Sequence, residues 1–310
     1  MNEITLLANA KINLGLDITG KRNDGYHYVR MVMQTLNLAD VLTIEKTNKD
    51  GIEIVADVSR EKLSLGSDNL IYKAAELLMY KRSKLPFKIE CNKYSGIRIR
   101  LSKKIPIAAG LAGGSADAAA VLRGLNELFE MGISDKNLRL AGLMLGADVP
   151  YCILGGTALS EGIGEILTPL PEISKFSPAL SFVVAKPGIS VSTKEAYQQY
   201  DELFNETPDK IIHPDIDGIC KAFCETNING VFSRLGNVLE MVTAKKYPII
   251  RKIEDCMMEA GAGGALMSGS GPTVFGIFTD QNKAWDAAEV LANEKAAEEI
   301  YVVKSVGVKS

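Results

Sequence analysis

Apolar residues dominate positions 4–16, a polar glycine-containing segment follows at 20–27, and residues 41–44 alternate, so the first fifty residues read as strand, turn, strand before a loop at 48–51. Ser67-Asp68-Asn69 then precedes Leu70, Ala74, Leu77 and Leu78, a helical spacing behind a capping signal. A short strand at 97–101 leads through Lys103-Lys104-Ile105-Pro106 to a segment in which Ala118, Val121, Leu122, Leu125, Leu128 and Phe129 mark a helix with one buried face. Another helix is predicted near 136–145, ended by Gly146. In Asp148-Val149-Pro150 the proline pushes the residue before it out of helical geometry. The texture changes across 155–164, and 179–186 reads as a fresh buried strand. Helices at 193–204, 230–242, 249–260 and 282–297 follow, with strands at 273–278 and 300–303. No internal repeat or low-complexity segment interrupts this order, which predicts two domains, 1–160 and 161–310.

Composition narrows the class. At 310 residues with 46% hydrophobic positions, the chain is long enough for two ordinary cores. The net charge of −3 and pI of about 5.7 come from acids and bases scattered together, which argues against nucleic acid as a partner. The longest apolar runs, such as 182–185, fall far short of the roughly 20 residues that cross a bilayer. The N-terminus shows no basic segment or cleavage site, and no export signal is read there. Five cysteines, Cys91, Cys152, Cys220, Cys224 and Cys256, are odd in number and widely spread, so a reduced cytoplasmic setting is the simplest reading. Cys220 and Cys224 share a helical spacing, but no further Cys or His pair supplies a metal site, and they read as half-buried thiols.

Three stretches hold candidate chemistry. Gly110-Leu111-Ala112-Gly113-Gly114-Ser115 runs straight into a helix, where glycines allow close backbone approach and the free amides and dipole favour an anion. Read alone, it is either a phosphate cradle or a tight loop-to-helix connection, with Ser115 as an N-cap and Asp117 as a first-turn acid. Gly15 to Lys21 fits the start of a P-loop, but Arg22 stands where a Ser or Thr must bind magnesium and no helix follows, so that reading is rejected. Gly269-Ser270-Gly271-Pro272-Thr273 is a glycine loop entering a strand, alone only a turn and beside 106–117 a second backbone wall. Phosphoryl transfer to an alcohol needs a base and a cation. Asp148, between Gly146 and Pro150, is either that base or a surface acid ending a helix. Lys11, alone in an apolar run, is either the cation or a strand residue reaching for water.

Together these segments resemble the three motifs of the small-molecule kinases named after galactose, homoserine, mevalonate and phosphomevalonate (GHMP). Ala10-Lys11-Ile12-Asn13-Leu14 with Gly25-Tyr26-His27 resembles the first motif, 106–119 the glycine-rich second, and 269–273 the third. The resemblance spans essentially the whole chain. Met33-Gln34-Thr35, Asn69-Leu70-Ile71, Gly146-Ala147-Asp148-Val149-Pro150 and Glu161-Gly162-Ile163-Gly164-Glu165 narrow it to the family of 4-diphosphocytidyl-2-C-methyl-D-erythritol kinases.

That resemblance implies an α+β two-domain fold, with an N-terminal domain like domain 2 of ribosomal protein S5, a C-terminal ferredoxin-like α/β sandwich and an active-site cleft between them. It implies ATP-dependent phosphorylation of the 2-hydroxyl of an alcohol bearing a cytidine diphosphate. Asp148 matches the family's base and Lys11 its neighbouring cation, with Asn13 near the accepting hydroxyl. Tyr26 and His27 match the cytidine site, Tyr197 the opposing aromatic, and Gly271 in the third motif the substrate side. Pro106, Ala108, Ala109, Gly110, Leu111, Ala112, Gly113, Gly114 and Ser115 match the ATP phosphate loop. Asn69, Leu70 and Lys103 match its adenine side. Ala112 and Ala116 stand where the family often has Gly and Ser. Ala112 is therefore expected at an ordinary negative φ, and no phosphate or magnesium contact is assigned to position 116. Mg2+ is expected with ATP, and no residue is assigned as its ligand. Monomer and homodimer both stay open. The competing readings are another alcohol kinase of the class, which does not require Tyr26, His27 and Tyr197, and a catalytically silent nucleotide-binding protein on the same fold.

Overall fold

Two long strands, β1 (Glu3–Lys21) and β2 (His27–Lys46), stand where the alternation predicts short ones. Both are buried through their middles with little alternation, and a strand covered on both faces loses the period-two signal. The computed structural model describes residues 1–57, 63–89, 96–177 and 179–307, so Cys91 lies outside the described residues. Two compact units divide the chain, the first made of Met1–Ala10, Ala39–Ile107 and Ala112–Leu154, the second of Lys11–Leu38, Ala108–Leu111 and Gly155–Ser310.

In the first unit, β3 (Ile52–Asp57), α1 (Leu70–Met79), β4 (Ile97–Ser102), α2 (Gly113–Leu128), α3 (Asp135–Leu143) and α4 (Val149–Leu154) join the first half of β1 and the last of β2. The sheet runs β3-β4-β2-β1, with β4 parallel to β3 and antiparallel to β2, pairing Val41 with Ser102 through Lys46 with Ile97. Leu42, Ile44, Ile99, Leu101, Leu78, Val121, Leu122 and Leu125 form one apolar cluster between sheet and helices. At Gly124 a Cβ would sit 2.6 Å from Leu6 Cδ1 and 2.8 Å from Ile44 Cδ1, so α2 lies close on the strands because that position has no side chain. The proline at 150 does not keep the chain out of a helix, because it falls in the first turn of α4, where no intrahelical amide is needed.

In the second unit, β5 (Thr157–Glu161) pairs with β2 and with β6 (Ile166–Pro169). β7 (Ser181–Lys186), α5 (Thr193–Glu206), α6 (Ile216–Cys224), α7 (Ile228–Phe232), β8 (Gly236–Asn237), α8 (Glu240–Lys246), α9 (Ile249–Glu259), β9 (Gly264–Met267), β10 (Val274–Phe278), α10 (Gln281–Asn293) and β11 (Glu299–Val303) follow. A four-stranded antiparallel sheet, β11-β7-β10-β9, carries α9 and α10 packed on it and on each other. The single helix predicted over 230–242 is two short helices separated by β8. Gly236 and Asn237 pair in parallel with Gly15 and Leu16, and the Val238 amide donates to Leu16 O at 3.0 Å, so strand pairing overrides the local helical spacing.

One buried ionic cluster lies within the first unit. The Lys103 ammonium donates to Asp40 and, at 3.0 Å, to Asp117 Oδ2. Asp40 Oδ1 accepts the amides of Lys104 at 2.6 Å and Ile105 at 2.8 Å. Asp40 is fully buried, and Asp117 nearly so. Burial pushes the Asp117 carboxyl up to about 7 against the pull of Lys103, and its buried Oδ1 has no partner, which a neutral carboxyl tolerates better than a carboxylate. Asp117 lies beyond the first turn of α2, so it is not the first-turn acid of the sequence reading. Asp40→Ala strands the ammonium and two amides, and the unfolding free energy in urea is expected to fall by about 3–5 kcal/mol; a loss under about 1 kcal/mol would show that the cluster carries no structural load.

Candidate active site

The segment before α2 turns into the left-handed region three times, at Ala108 (φ 52°), Gly110 (φ 75°) and Ala112 (φ 55°). Only Gly110 adopts it freely; each alanine costs on the order of 1–2 kcal/mol. Ala112 therefore departs from the negative φ expected of it: it is the residue that turns the chain into α2, and it caps the helix without a side-chain acceptor. Ser115 is the third helical residue, so it is not the N-cap that its residue type suggests. Among the described residues no side chain caps this start, so the amides of Gly113, Gly114 and Ser115 are candidate donors to an external anion, and Gly114 is exposed. The donor set fits the phosphates of ATP. Pro106, Ala109 and Leu111 are buried anchors, whereas Ala108 is exposed.

Below that helix start, a Cβ at Gly113 would lie 3.0 Å from both Lys103 Nζ and Ile105 Cγ2. Lys103 thus reaches the underside of the first turn, with its ammonium held by Asp40 and Asp117. Asn69 caps α1 by accepting the Ile71 amide at 2.8 Å, and its Nδ2 donates to Ser64 O at 2.6 Å. Leu70 opens α1, and its Cδ1 lies 3.6 Å from the Cβ position of Gly114, so Leu70 and the helix start are neighbours. Asp148 directly precedes α4, is partly buried, and its carbonyl accepts from Cys152 N at 3.0 Å.

In the second unit, Lys11 is buried and donates to Asn13 Oδ1 at 2.7 Å, while Asn13 Nδ2 points to Met31 Sδ at 3.3 Å. The Lys11 amide donates to Leu111 O at 3.1 Å, which ties β1 to 108–111. Gly110 lies against the loop after β9: Ser268 Oγ donates to Gly110 O at 3.1 Å, and a Cβ at Gly110 would meet Ser268 O at 2.3 Å. A Cβ at Gly269 would lie 3.6 Å from Asn13 Oδ1. The fold thereby brings Lys11, Asn13, 108–111 and 268–271 into one neighbourhood from three distant parts of the chain.

A second cluster gathers around His27. Its ring centroid is 4.8 Å from that of Tyr197 at a 36° tilt, and His27 Nε2 lies 2.8 Å from Asp201 Oδ1. Lys21 Nζ donates to Asp201 Oδ2 at 2.6 Å. Burial raises the Asp201 carboxyl, but the hydrogen bonds from Lys21 and His27 outweigh it and hold the group below its ordinary range. An ionised carboxylate only accepts, so in this contact Nε2 is the donor. Tyr26 is 58% exposed, so its ring is available for stacking. Sequence reading missed Asp201, although its four-residue spacing from Tyr197 places the two on one face of α5.

Among the described residues no helix is long and apolar enough to cross a membrane. The model of the GHMP kinase N-terminal domain matches residues 69–156, and that of the GHMP kinase C-terminal domain matches 212–297. The chain is 44% identical over 305 residues to 4-diphosphocytidyl-2-C-methyl-D-erythritol kinase of Lachnospira eligens, covering 98% of this chain and 99% of that one. It is 46% identical over 295 residues to the enzyme of that name from Acetivibrio thermocellus, covering 95% and 97%. A crystal structure of 4-(cytidine 5'-diphospho)-2C-methyl-D-erythritol kinase superposes with a TM-score of 0.76 at 32% identity, over 98% of this chain and 100% of that one. A homoserine kinase from Cytophaga hutchinsonii, at 18% identity and a TM-score of 0.73 over 100% and 96% of the two chains, shares the fold. With full-length kinship added to the uncapped helix start and the converging glycine loops, the chain is a GHMP kinase and belongs to the 4-diphosphocytidyl-2-C-methyl-D-erythritol kinase family.

Proposed function

We propose that the protein transfers the γ-phosphoryl group of ATP to the 2-hydroxyl of 4-diphosphocytidyl-2-C-methyl-D-erythritol, a step of non-mevalonate isoprenoid synthesis. The observation that carries this reading is identity of 44% and 46%, over nearly the whole chain, to kinases named for that alcohol. The hydroxyl oxygen attacks the γ-phosphorus, the bond to the bridging oxygen of ADP breaks, and the hydroxyl proton passes to the Asp148 carboxylate. Lys11 supplies a cation for the transferring phosphoryl oxygens, and Asn13, to which it donates, orients the alcohol. The amides of 113–115 bind the ATP phosphates, and Leu70 borders the nucleotide. Asn69 and Lys103 act there through what they hold, since one caps α1 and the other is fixed beneath the first turn of α2. A magnesium ion bound with the nucleotide would neutralise phosphate charge, and no residue of the chain is assigned to hold it. Tyr26, His27 and Tyr197 bind the cytosine, with Asp201 fixing the His27 tautomer, and Gly271 lies on the substrate side. The cytoplasm, with its reduced thiols and ATP, is the setting this reading assigns.

Purified protein should consume ATP with the cytidine alcohol and not with mevalonate or homoserine. Asp148→Asn should lose at least about 10²-fold in kcat, the scale of general-base catalysis. Turnover confined to another alcohol would overturn the substrate, and an active Asp148→Asn would overturn the base. Asp201→Asn frees the His27 tautomer, so KM for the cytidine alcohol should rise by about tenfold or more with KM for ATP unchanged; equal change in both constants would remove Asp201 from base recognition. At Gly110, alanine meets both the positive φ and the Ser268 carbonyl. Gly110→Ala should lower kcat/KM by roughly 10–100-fold, and steady-state kinetics at parental values would show that the two loops need not touch.

A further inference from the structure

The hairpin connection after β9 is held by more than its own backbone. Its internal bonds run from Ser268 N to Thr273 O at 2.8 Å and from Gly271 N to Ser268 O at 3.0 Å. Beyond these, Asn237 in β8 donates through Nδ2 to Met267 O at 2.9 Å and to Gly269 O at 2.8 Å, and its Oδ1 accepts the Leu239 amide at 3.0 Å. Glu240, the first residue of α8, accepts the Met267 amide on Oε2 at 2.9 Å. Its Oε1 lies 2.5 Å from Arg251 Nη1, which also donates to Glu254 Oε2 at 2.8 Å. Thr243 Oγ1 reaches Ser270 O at 3.4 Å. Asn237, Glu240 and Thr243 are all buried.

A turn that only joined two strands would not need a buried carboxylate and a buried amide to hold three of its peptide groups, because burying such groups is costly unless they are satisfied. What the arrangement secures is the position of Ser268, whose carbonyl and hydroxyl both bear on Gly110. We infer that Asn237 and Glu240 are positioning residues for phosphoryl transfer, fixing the 267–271 backbone so that it fixes Gly110 and the loop that leads to the phosphate-binding amides. This rests on the reading of 108–111 and 268–271 as walls of the reaction site. Glu254 supports Glu240 from behind. Burial and the neighbouring Glu240 push the Glu254 carboxyl up to about 9, so at neutral pH it holds a proton and can donate it to Glu240, while its other oxygen, buried, has no partner. Glu240 itself is held between Arg251 and the Met267 amide.

The test compares the full-length parent with Asn237→Ala and Glu240→Gln at a temperature where all three are folded by circular dichroism. Two readouts are taken on the same preparations: hydrogen exchange at the Met267 and Gly271 amides, and kcat and KM with ATP and the cytidine alcohol. Exchange at these amides should quicken at least about tenfold in Asn237→Ala, and kcat should fall on the order of 10–100-fold, the cost of misplacing a site wall by about an ångström. Asn237→Gln, which keeps the amide donor, should recover part of the lost kcat. Slow exchange together with lowered kcat would sink the positioning role while leaving the site reading intact. Quickened exchange with parental kinetics would instead sink the reading of 268–271 as a wall, and the inference with it.

Discussion

An α-helix begins with amides that have no partner in the helix, and what becomes of those at the start of α2 governs the rest of this molecule. Most helix starts in the chain are closed by their own side chains, as by Asn69, Ser134, Ser192 and Asp280. At α2 the capping position is an alanine in the left-handed region, and among the described residues no side chain caps it. Leaving those amides for a ligand means giving up a cap worth about 1 kcal/mol and holding Ala108 and Ala112 in a conformation that costs more. The surroundings must make up that cost, and they do so with buried polar contacts: Asp40 on the amides of Lys104 and Ile105, Leu111 O on the Lys11 amide, and Ser268 on Gly110.

The two buried lysines show how differently one residue type is employed. Lys103 is enclosed by Asp40 and Asp117, two carboxyl groups for one ammonium, an arrangement that fixes geometry and leaves little capacity for a ligand. Lys11, also buried, donates to the amide oxygen of Asn13, beside the 108–111 turn to which its own backbone amide is tied. Sequence reading assigned both to nucleotide chemistry.

What was legible in the sequence followed the physics that acts locally. A capping signal and helical spacing located α1, the helical candidates at 193–204, 249–260 and 282–297 fell on α5, α9 and α10, and the glycines before α2 announced a close backbone approach. What escaped depends on contacts distant in the chain. β2 is buried through its middle on both faces and alternates only toward its end. β8 exists because residues 236 and 237 meet 15 and 16, against their local helical preference. Ala112 accepts a positive φ because its neighbours over-determine it, which residue identity alone argues against. Asp201 meets His27 across 174 positions, and only its helical register with Tyr197 hinted at the partnership.

Fold and substrate choice therefore rest on different residues. The homoserine kinase likeness, at 18% identity, shows that the architecture survives near-complete replacement of side chains, so the architecture cannot select the alcohol. Selection must come from groups that the phosphoryl-transfer machinery does not use. On the proposed function the His27, Tyr197 and Asp201 set would supply that selection, because it hangs on the start of β2 and one face of α5, apart from the motif residues assigned to phosphoryl transfer. On that reading the alcohol can change by altering a few side chains on α5 and β2 while the first turn of α2, and the Asp40 that holds the amides of Lys104 and Ile105 before it, stay as they are.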